Sequence, residues 1–165
     1  ASDVYKRQAM PEPSSRYVVS SDKSLLDVDT IYAFLSTCYW SPGIARERVA
    51  RGIEHSLCYG AFDTRTPRAS GGDGRFAQVG FARVVTDRAS FAYLCDVFVL
   101  ESHRGGGVGK LLMQAVMNEP AIRGIRCFAL KTRDAHGLYK QFGFAPMPDP
   151  SRYMEILDRE GYKQA

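Results

Sequence analysis

A glycine-rich turn between a predicted strand and a predicted helix constrains this chain more than any other feature. Residues 91–100 are mostly aromatic, β-branched and aliphatic, as in a buried strand, and residues 111–116 carry apolar side chains at helical spacing. Between them lies the glycine loop, Arg104-Gly105-Gly106-Gly107-Val108-Gly109-Lys110. Glycines let a ligand approach the backbone, and the first N–H groups of a helix lack intrahelical acceptors. The loop therefore predicts a site for an anion such as a diphosphate.

Two common phosphate-binding loops fail on spacing. A Walker A loop needs a glycine five residues before its Gly-Lys pair and a Ser or Thr after the lysine, but these positions hold Arg104 and Leu111. The dinucleotide-binding fingerprint needs a third glycine three residues after the second, where this chain has Lys110 or Leu112. The spacing thus excludes a magnesium-nucleotide loop and a Rossmann loop.

The pattern Arg/Gln-x-x-Gly-x-Gly/Ala does fit, with Arg104, Gly107 and Gly109 at its fixed positions. It resembles the acetyl-CoA loop of the GNAT superfamily of N-acyltransferases. A second segment, residues 135–144, is similar to a later helix of that superfamily, with the signature Ala-x-x-Leu-Tyr-x-x-(Leu/Phe)-Gly-Phe. The two motifs also have the order and separation of the superfamily. One departure is Thr132, which stands where the superfamily often has an Asn.

The resemblance implies an α/β (α+β) acyl-CoA N-acyltransferase fold, with a mixed, mostly antiparallel sheet whose central strands splay apart between flanking helices. It implies acetyl-CoA as co-substrate and transfer of the acetyl group to a primary amine by direct attack in a ternary complex. The alternative is a non-catalytic CoA-binding sensor or interaction module of the same fold. The residues it assigns to acetyl-CoA are Phe98, Val99, Arg104, Gly105, Gly106, Gly107, Val108, Gly109 and Lys110.

Two residues are the catalytic candidates. A primary amine with a reference pKa near 10.4 must lose a proton before it can attack, and the departing thiolate benefits from gaining one. The resemblance assigns the second role to Tyr139 as general acid, although a core aromatic is the structural alternative. Asp96 is the carboxylate inside the apolar central strand, where burial would favour a general base, directly or through water. Its structural alternatives are a turn cap or an ion pair with Arg83.

An aromatic and polar cluster, Tyr39-Trp40-Ser41, interrupts the helical pattern and is the candidate acceptor pocket, with core packing as the alternative. His103, next to the glycine loop, either contacts a CoA phosphate or is an exposed loop residue. Arg133 and Lys140 are further candidates for contacts with phosphate or adenine. Cys95 has no histidine nearby in sequence, which disfavours an acyl-enzyme mechanism.

Hydrophobic periodicity predicts the remaining elements. Residues 63–75 read as a Gly/Pro/Ser/Arg-rich hairpin loop without core content. The predicted helices are 25–37, capped by Asp27 or Asp29, then 46–55 and 135–142. A short strand is predicted to begin at Tyr17, and further strands are predicted at 57–62, 78–86, 127–131 and 153–156. The strand at 127–131 is expected to run parallel to the central strand.

Composition places the chain among ordinary globular proteins. Its 165 residues suit one domain at 16–165, preceded by a disordered or non-native leader at 1–15. A net charge of +4 without basic runs argues against a nucleic-acid partner, and no apolar stretch is long enough for a membrane span or a signal peptide. The four cysteines lack metal-site spacing, so free buried thiols in a cytoplasmic protein without a metal are expected. The expected partner is a small-molecule amine or a protein amine, with the chain a monomer or homodimer.

Overall fold

The computed structural model describes residues 15–69 and 75–165. Over these ranges the chain forms one sheet with its strands in sequence order, β1 (Tyr17–Ser20), β2 (Leu57–Pro67), β3 (Phe76–Thr86), β4 (Phe91–Val99) and β5 (Cys127–Leu130). The first four strands are antiparallel neighbours, and β5 runs parallel to β4. The predicted mixed and mostly antiparallel sheet is therefore confirmed.

Helices cover both faces of the sheet. The α-helices of the described ranges are α1 (Val28–Leu35), α2 (Arg46–Glu54), α3 (Val108–Met117) and α4 (His136–Lys140). The apolar residues of α1 and α2 pack with Phe81 and Phe98 on one face, while those of α3 pack with the alternate residues of β2 and β3 on the other. Asp27 caps α1 by accepting a hydrogen bond from the Thr30 N–H at 3.1 Å, as one of the two predicted caps.

A β-bulge interrupts the central strand β4. Phe98 pairs with Phe81 and Cys95 with Arg83, so one residue of β3 lies opposite two of β4. Asp96 lies in this bulge and has a φ of +54°, a left-handed conformation that aspartate tolerates better than most residues. The bulge reverses the phase of the strand: Ala92 and Leu94 face α3 before it, and Val97 and Val99 do so after it.

The two parallel strands separate just before this bulge. Their pairing runs from Phe91 opposite Cys127 to Leu94 opposite Leu130, where β5 ends, while β4 continues to Val99. On its β5 side, the last part of β4 therefore offers backbone groups that are not used in a strand pair. This is the splayed geometry that the family resemblance implied.

Three expectations from the sequence are wrong in detail. The segment expected to be a hairpin loop from residue 63 continues instead as β2 to Pro67, and its first residue, Asp63, is only 1% exposed. Helix α4 is shorter than predicted. No strand forms at 153–156; that segment is a loop after a short 3₁₀ turn, and its Met154 and Ile156 side chains are exposed. The predicted leader up to residue 14, and residues 70–74 of the predicted hairpin loop, lie outside the described residues.

Candidate active site

A cavity of about 570 Å³ opens where β4 and β5 separate. The end of β4 forms its floor, the N-terminus of α3 borders one end, and the segment after α1 borders the other. Helix α4 closes the side between them. The lining residues are Phe34, Cys38, Tyr39, Trp40, Val97, Phe98, Val99, Arg104, Gly109, Arg133, Asp134, Ala135, Leu138 and Tyr139.

The glycine loop wraps the N-terminus of α3. Gly105 and Gly107 have φ angles of +78° and +79°, a left-handed conformation that glycine adopts without steric cost. A Cβ atom added at either position would meet nothing within 4 Å, so the surface above this backbone is open. Gly107 is the N-cap of α3 and contributes no side-chain cap, which leaves the first N–H groups of the helix directed outward. These residues fit an anionic group such as the CoA diphosphate.

The charged ends of the loop have different environments. Arg104 donates from Nε to the Val99 carbonyl at 3.1 Å, which fixes the loop to the end of β4. Lys110 is exposed on the first turn of α3, whereas the Val108 side chain is 2% exposed and packs in the core, so only its backbone can face a ligand. The loop therefore presents one anchored guanidinium, one exposed ammonium and backbone donors.

Tyr139 projects from α4 into the cavity and is 9% exposed. Burial is the main cause that raises the pKa of its hydroxyl to about 12. The hydroxyl therefore stays protonated at neutral pH and can donate a hydrogen bond. Thr132 supports the helix that carries it, because its hydroxyl oxygen accepts a hydrogen bond from the Ala135 N–H at 3.0 Å.

Asp96 joins the bulge to the wall of the cavity. Its Oδ2 accepts from Arg83 Nε at 2.7 Å, which is the ion pair that the sequence allowed, and its Oδ1 accepts from Trp40 Nε1 at 3.3 Å. The carboxylate borders a separate small space between α2 and the sheet rather than the main cavity. Its geometry thus fixes the position of Trp40, and its role as a base stays a prediction.

The predicted acceptor cluster divides in two. Tyr39 and Trp40 line the cavity with their rings packed edge to face, 5.0 Å between centroids, and both remain partly exposed at its mouth. Ser41 does not line it, since its buried hydroxyl donates to the Leu35 carbonyl at 2.8 Å and closes the end of α1. The Arg133 guanidinium lies 3.8 Å from the centroid of the Tyr39 ring.

Several lining residues were not predicted from the sequence. Phe34 stacks on Phe98 with 4.0 Å between ring centroids, and Cys38, Val97 and Asp134 complete the walls. Leu138 belongs to the motif of α4 and could have been included on that signal. Asp134 adjoins the candidate Arg133, while Phe34, Cys38 and Val97 become neighbours through the phase change at the bulge and the path of the chain after α1.

The four cysteines are free thiols, but the expectation that all are buried is wrong. Cys58 is buried, Cys38 and Cys95 are partly buried, and Cys127 is exposed. Burial raises the pKa of the Cys95 thiol to about 12. Across the part of the chain that the structure describes, no group of three or more His, Cys, Asp or Glu side chains is placed to hold a metal ion, and no helix is long and apolar enough to cross a membrane.

The strands that part around a cavity, the helix N-terminus with its outward amides and the buried tyrosine together fit the class of acyl-CoA-dependent transferases. Comparisons with known proteins agree with this class. The family model of the acetyltransferase (GNAT) domain matches residues 73–146. A provisionally named acetyltransferase of Gibberella zeae is 33% identical over 135 residues, covering 74% of this chain and 75% of that protein.

A solved structure and a plant enzyme extend the comparison. A protein of Xanthomonas campestris, provisionally named an acetyltransferase of the GNAT family, is 46% identical with a TM-score of 0.78, covering 93% of this chain and 99% of that one. Serotonin N-acetyltransferase 2 of Oryza sativa is 33% identical over 114 residues, covering 68% of this chain and 54% of the rice protein. The chain thus spans about half the length of the rice enzyme.

The chain belongs to the GNAT family of acetyltransferases. The general reaction of that family is transfer of an acetyl group from acetyl-CoA.

Proposed function

We propose that this protein transfers the acetyl group of acetyl-CoA to a primary amine by direct attack within a ternary complex. The observation that carries the proposal is the continuity of the cavity, which runs from Arg104 and Gly109, past the end of β4, to the aromatic rings of Tyr39 and Trp40. Such a cavity has room for a donor at one end and an acceptor at the other.

The donor would lie along the unpaired end of β4. Its diphosphate would accept hydrogen bonds from the amides at the start of α3, close to the charges of Arg104 and Lys110. Its thioester carbonyl would meet the Val99 backbone N–H on the side that β5 does not cover, since the Leu100 N–H points to β3 and donates to the Val79 carbonyl at 2.8 Å. A donor of this kind is worth about 10²–10³ in rate in an oxyanion site, because it is already oriented when charge develops on the oxygen.

Tyr139 would assist departure of the CoA thiolate. Its raised pKa keeps the proton on the hydroxyl, and a thiol has a reference pKa near 8.5. Complete transfer from a group of pKa about 12 to such a thiolate is uphill by about 5 kcal/mol at 1.36 kcal/mol per pKa unit. We therefore assign Tyr139 hydrogen-bond donation to the developing thiolate. The CoA thiol gains one proton in the net reaction, which balances the proton that the attacking nitrogen loses as the amide forms.

The acceptor amine must arrive with one proton fewer than its ammonium form. Asp96 is the proposed base, acting through water, since both of its oxygens already accept hydrogen bonds from Arg83 and Trp40 and it lies behind the cavity wall. A cysteine nucleophile is disfavoured, because the raised pKa of Cys95 leaves very little thiolate at neutral pH.

The acceptor end of the cavity is lined by aromatic rings. Phe34, Tyr39 and Trp40 supply ring surfaces, and the carboxylate of Asp134 lies among the polar lining groups. These surfaces suit an amine carried on an apolar or aromatic group, and serotonin, which names the rice relative, is such an amine. The acceptor is accordingly either a small-molecule amine or an amine of a protein side chain or N-terminus.

The test is thiol release from acetyl-CoA in the presence of a panel that includes serotonin, polyamines, amino acids and a lysine-containing peptide. Amine-dependent release together with the acetylated amine by mass spectrometry is the expected result. Acetyl-CoA binding without amine-dependent release for any member would favour the non-catalytic CoA-binding module. The Tyr139→Phe variant is the matched control, because it keeps the ring and removes the hydroxyl.

A further inference from the structure

One charged side chain is buried outside the lining of the cavity. Asp63, near the end of β2, is 1% exposed and is the buried charged residue of the part of the chain that the structure describes. Arg16 holds its two oxygens with Nε and Nη2 at 3.3 and 3.2 Å. The Arg65 N–H and the Thr66 hydroxyl also donate to this carboxylate, at 3.1 and 3.2 Å. Hydrogen bonding by Arg16 is the first of the causes that lower the pKa of Asp63, so it is a carboxylate at neutral pH.

This carboxylate also lies close to the residue that precedes the glycine loop. His103, the residue before Arg104, places its Nδ1 3.8 Å from Asp63 Oδ2 and 3.2 Å from the Tyr17 hydroxyl oxygen. The imidazole meets the tyrosine ring edge on, at 5.9 Å between centroids, and its side chain is 16% exposed. His103 is therefore not an exposed loop residue, which was one of the two expectations for it.

A second contact links Tyr17 to the loop itself. A Cβ atom built at Gly106 would lie 3.1 Å from Cε2 of Tyr17, so the loop backbone rests against the tyrosine ring. Thus β1 supplies Tyr17 and β2 supplies Asp63, and both support a loop that is distant from them in sequence. Helix α3 also packs on β1 and β2, which brings the loop at its N-terminus over these strands.

Burying a carboxylate costs free energy unless it is paired and hydrogen-bonded, and a pair on the surface avoids that cost. Here the buried pair lies under the segment whose backbone must be held in place to bind an anion. Donors that are oriented in advance lose less entropy when the ligand binds. If this cluster only stabilised the pairing of β1 with β2, the ion pair of Arg16 and Asp63 would be sufficient. The contacts of Tyr17 with His103 and Gly106 would then not be needed.

We propose that Asp63, His103 and Tyr17 are positioning residues that hold the glycine loop in the conformation that binds the diphosphate of acetyl-CoA. The inference rests on the proposed function, since it assigns the same loop to the same co-substrate. It predicts that damage to these three residues weakens binding of the diphosphate and leaves the acyl and pantetheine contacts unchanged. A residue that only stabilises the fold would weaken both.

Two donors separate these outcomes, acetyl-CoA and S-acetylpantetheine, which has the thioester and pantetheine arm but no diphosphate. Binding of each is measured by calorimetry or by ligand-observed NMR, first with the unsubstituted chain. We expect His103→Ala to weaken acetyl-CoA binding about tenfold, the equivalent of about one hydrogen bond, and S-acetylpantetheine binding by less than about twofold. Tyr17→Phe should have a smaller effect of the same kind.

Two further variants complete the test. His103→Gln can still bond with the carboxylate or the phenol and should recover part of the affinity. His55→Ala is the matched control, because His55 is 71% exposed and pairs only with Glu54 among the described residues, at 3.8 Å, so both donors should bind it normally.

Equal loss of both donors in His103→Ala, or no loss of either, would overturn the inference and leave the proposed function standing. If the unsubstituted chain itself failed to bind acetyl-CoA, the proposed function would be refuted together with the inference. Asp63→Asn is measured only alongside thermal unfolding, because removing a buried charge beside Arg16 also destabilises the fold. In that variant the ratio of the two affinities, not their absolute values, tests the inference.

Discussion

Replacing Gly107 by alanine tests the glycine loop with a single added carbon. The residue has φ +79° and ψ 5°, and a Cβ atom there would meet nothing of the protein within 4 Å. The methyl group therefore has two effects that can be separated. It strains a left-handed residue, which costs about 1–2 kcal/mol, and it occupies the space above the first amides of α3.

Gly124 offers a matched control for the strain. Its φ is +74°, an added Cβ would also meet nothing within 4 Å, and it lies after the opposite end of α3 from the cavity. Both alanine variants should therefore lose about 1–2 kcal/mol of unfolding free energy. Only Gly107→Ala should lose acetyl-CoA affinity, by about 10- to 150-fold if it displaces one charge-assisted hydrogen bond worth roughly 1.5–3 kcal/mol.

The assay is isothermal titration with acetyl-CoA, paired with urea unfolding of the same three proteins. Equal affinity in both variants would refute the assignment of the loop to the diphosphate, whether the shared affinity is normal or reduced. A large loss of stability in Gly107→Ala alone would show that the position is constrained by the protein rather than by a ligand.

Three further predictions concern the chemistry of transfer. Tyr139→Phe should lower kcat about 100-fold and leave acetyl-CoA affinity unchanged, and normal turnover in this variant would show that the hydroxyl has no catalytic role. Because the pKa of this hydroxyl is about 12, the kcat of the unsubstituted protein should show no loss from its ionisation up to about pH 10. Asp96→Asn retains a residue type that tolerates φ +54°, and it should lower kcat by about 100-fold or more if the carboxylate is the base. A change confined to the KM for the amine would show instead that Asp96 only positions Trp40. Cys95→Ala should retain transfer within about twofold, and an abolished rate or a trapped acetyl-thioester would favour an acyl-enzyme instead.

Local patterns in the sequence were sufficient to predict much of the fold. The glycine loop has a fixed spacing that only a few anion-binding turns share, and the apolar periods of α1, α2 and α3 locate those helices within a few residues. The antiparallel order of β2, β3 and β4 follows from their short connections, and the parallel strand β5 follows from the intervening helix α3. The place of β1 does not follow in this way, because α1 and α2 lie between it and β2.

The bulge at Asp96 could not be read from the sequence. The bulge depends on the register between β3 and β4, in which two residues of β4 lie opposite one of β3. A single carboxylate in an apolar run does not reveal it, because such a residue is compatible with a base, a cap or an ion pair. The resulting phase change decides which side chains of β4 face α3, and with it the lining of the cavity. The order of β2 to β5 was predictable, but their register was not.

The buried role of Asp63 was missed for a related reason. It begins a stretch rich in Gly, Pro, Ser and Arg that reads as solvent-exposed, and its partners Arg16 and His103 lie 47 and 40 residues away in either direction. The segment 153–156 shows the opposite error, a strand that was predicted but does not form. A strand needs a partner as well as β-forming side chains, and this segment pairs with no strand of the part of the chain that the structure describes.

A crystal structure of the chain with acetyl-CoA bound tests the central claim most directly. The account predicts diphosphate oxygens within hydrogen-bond distance of the amides at residues 107–110, and the acetyl group between the end of β4 and the Tyr139 hydroxyl. A diphosphate bound elsewhere on the surface, or a thioester remote from both β4 and Tyr139, would contradict it.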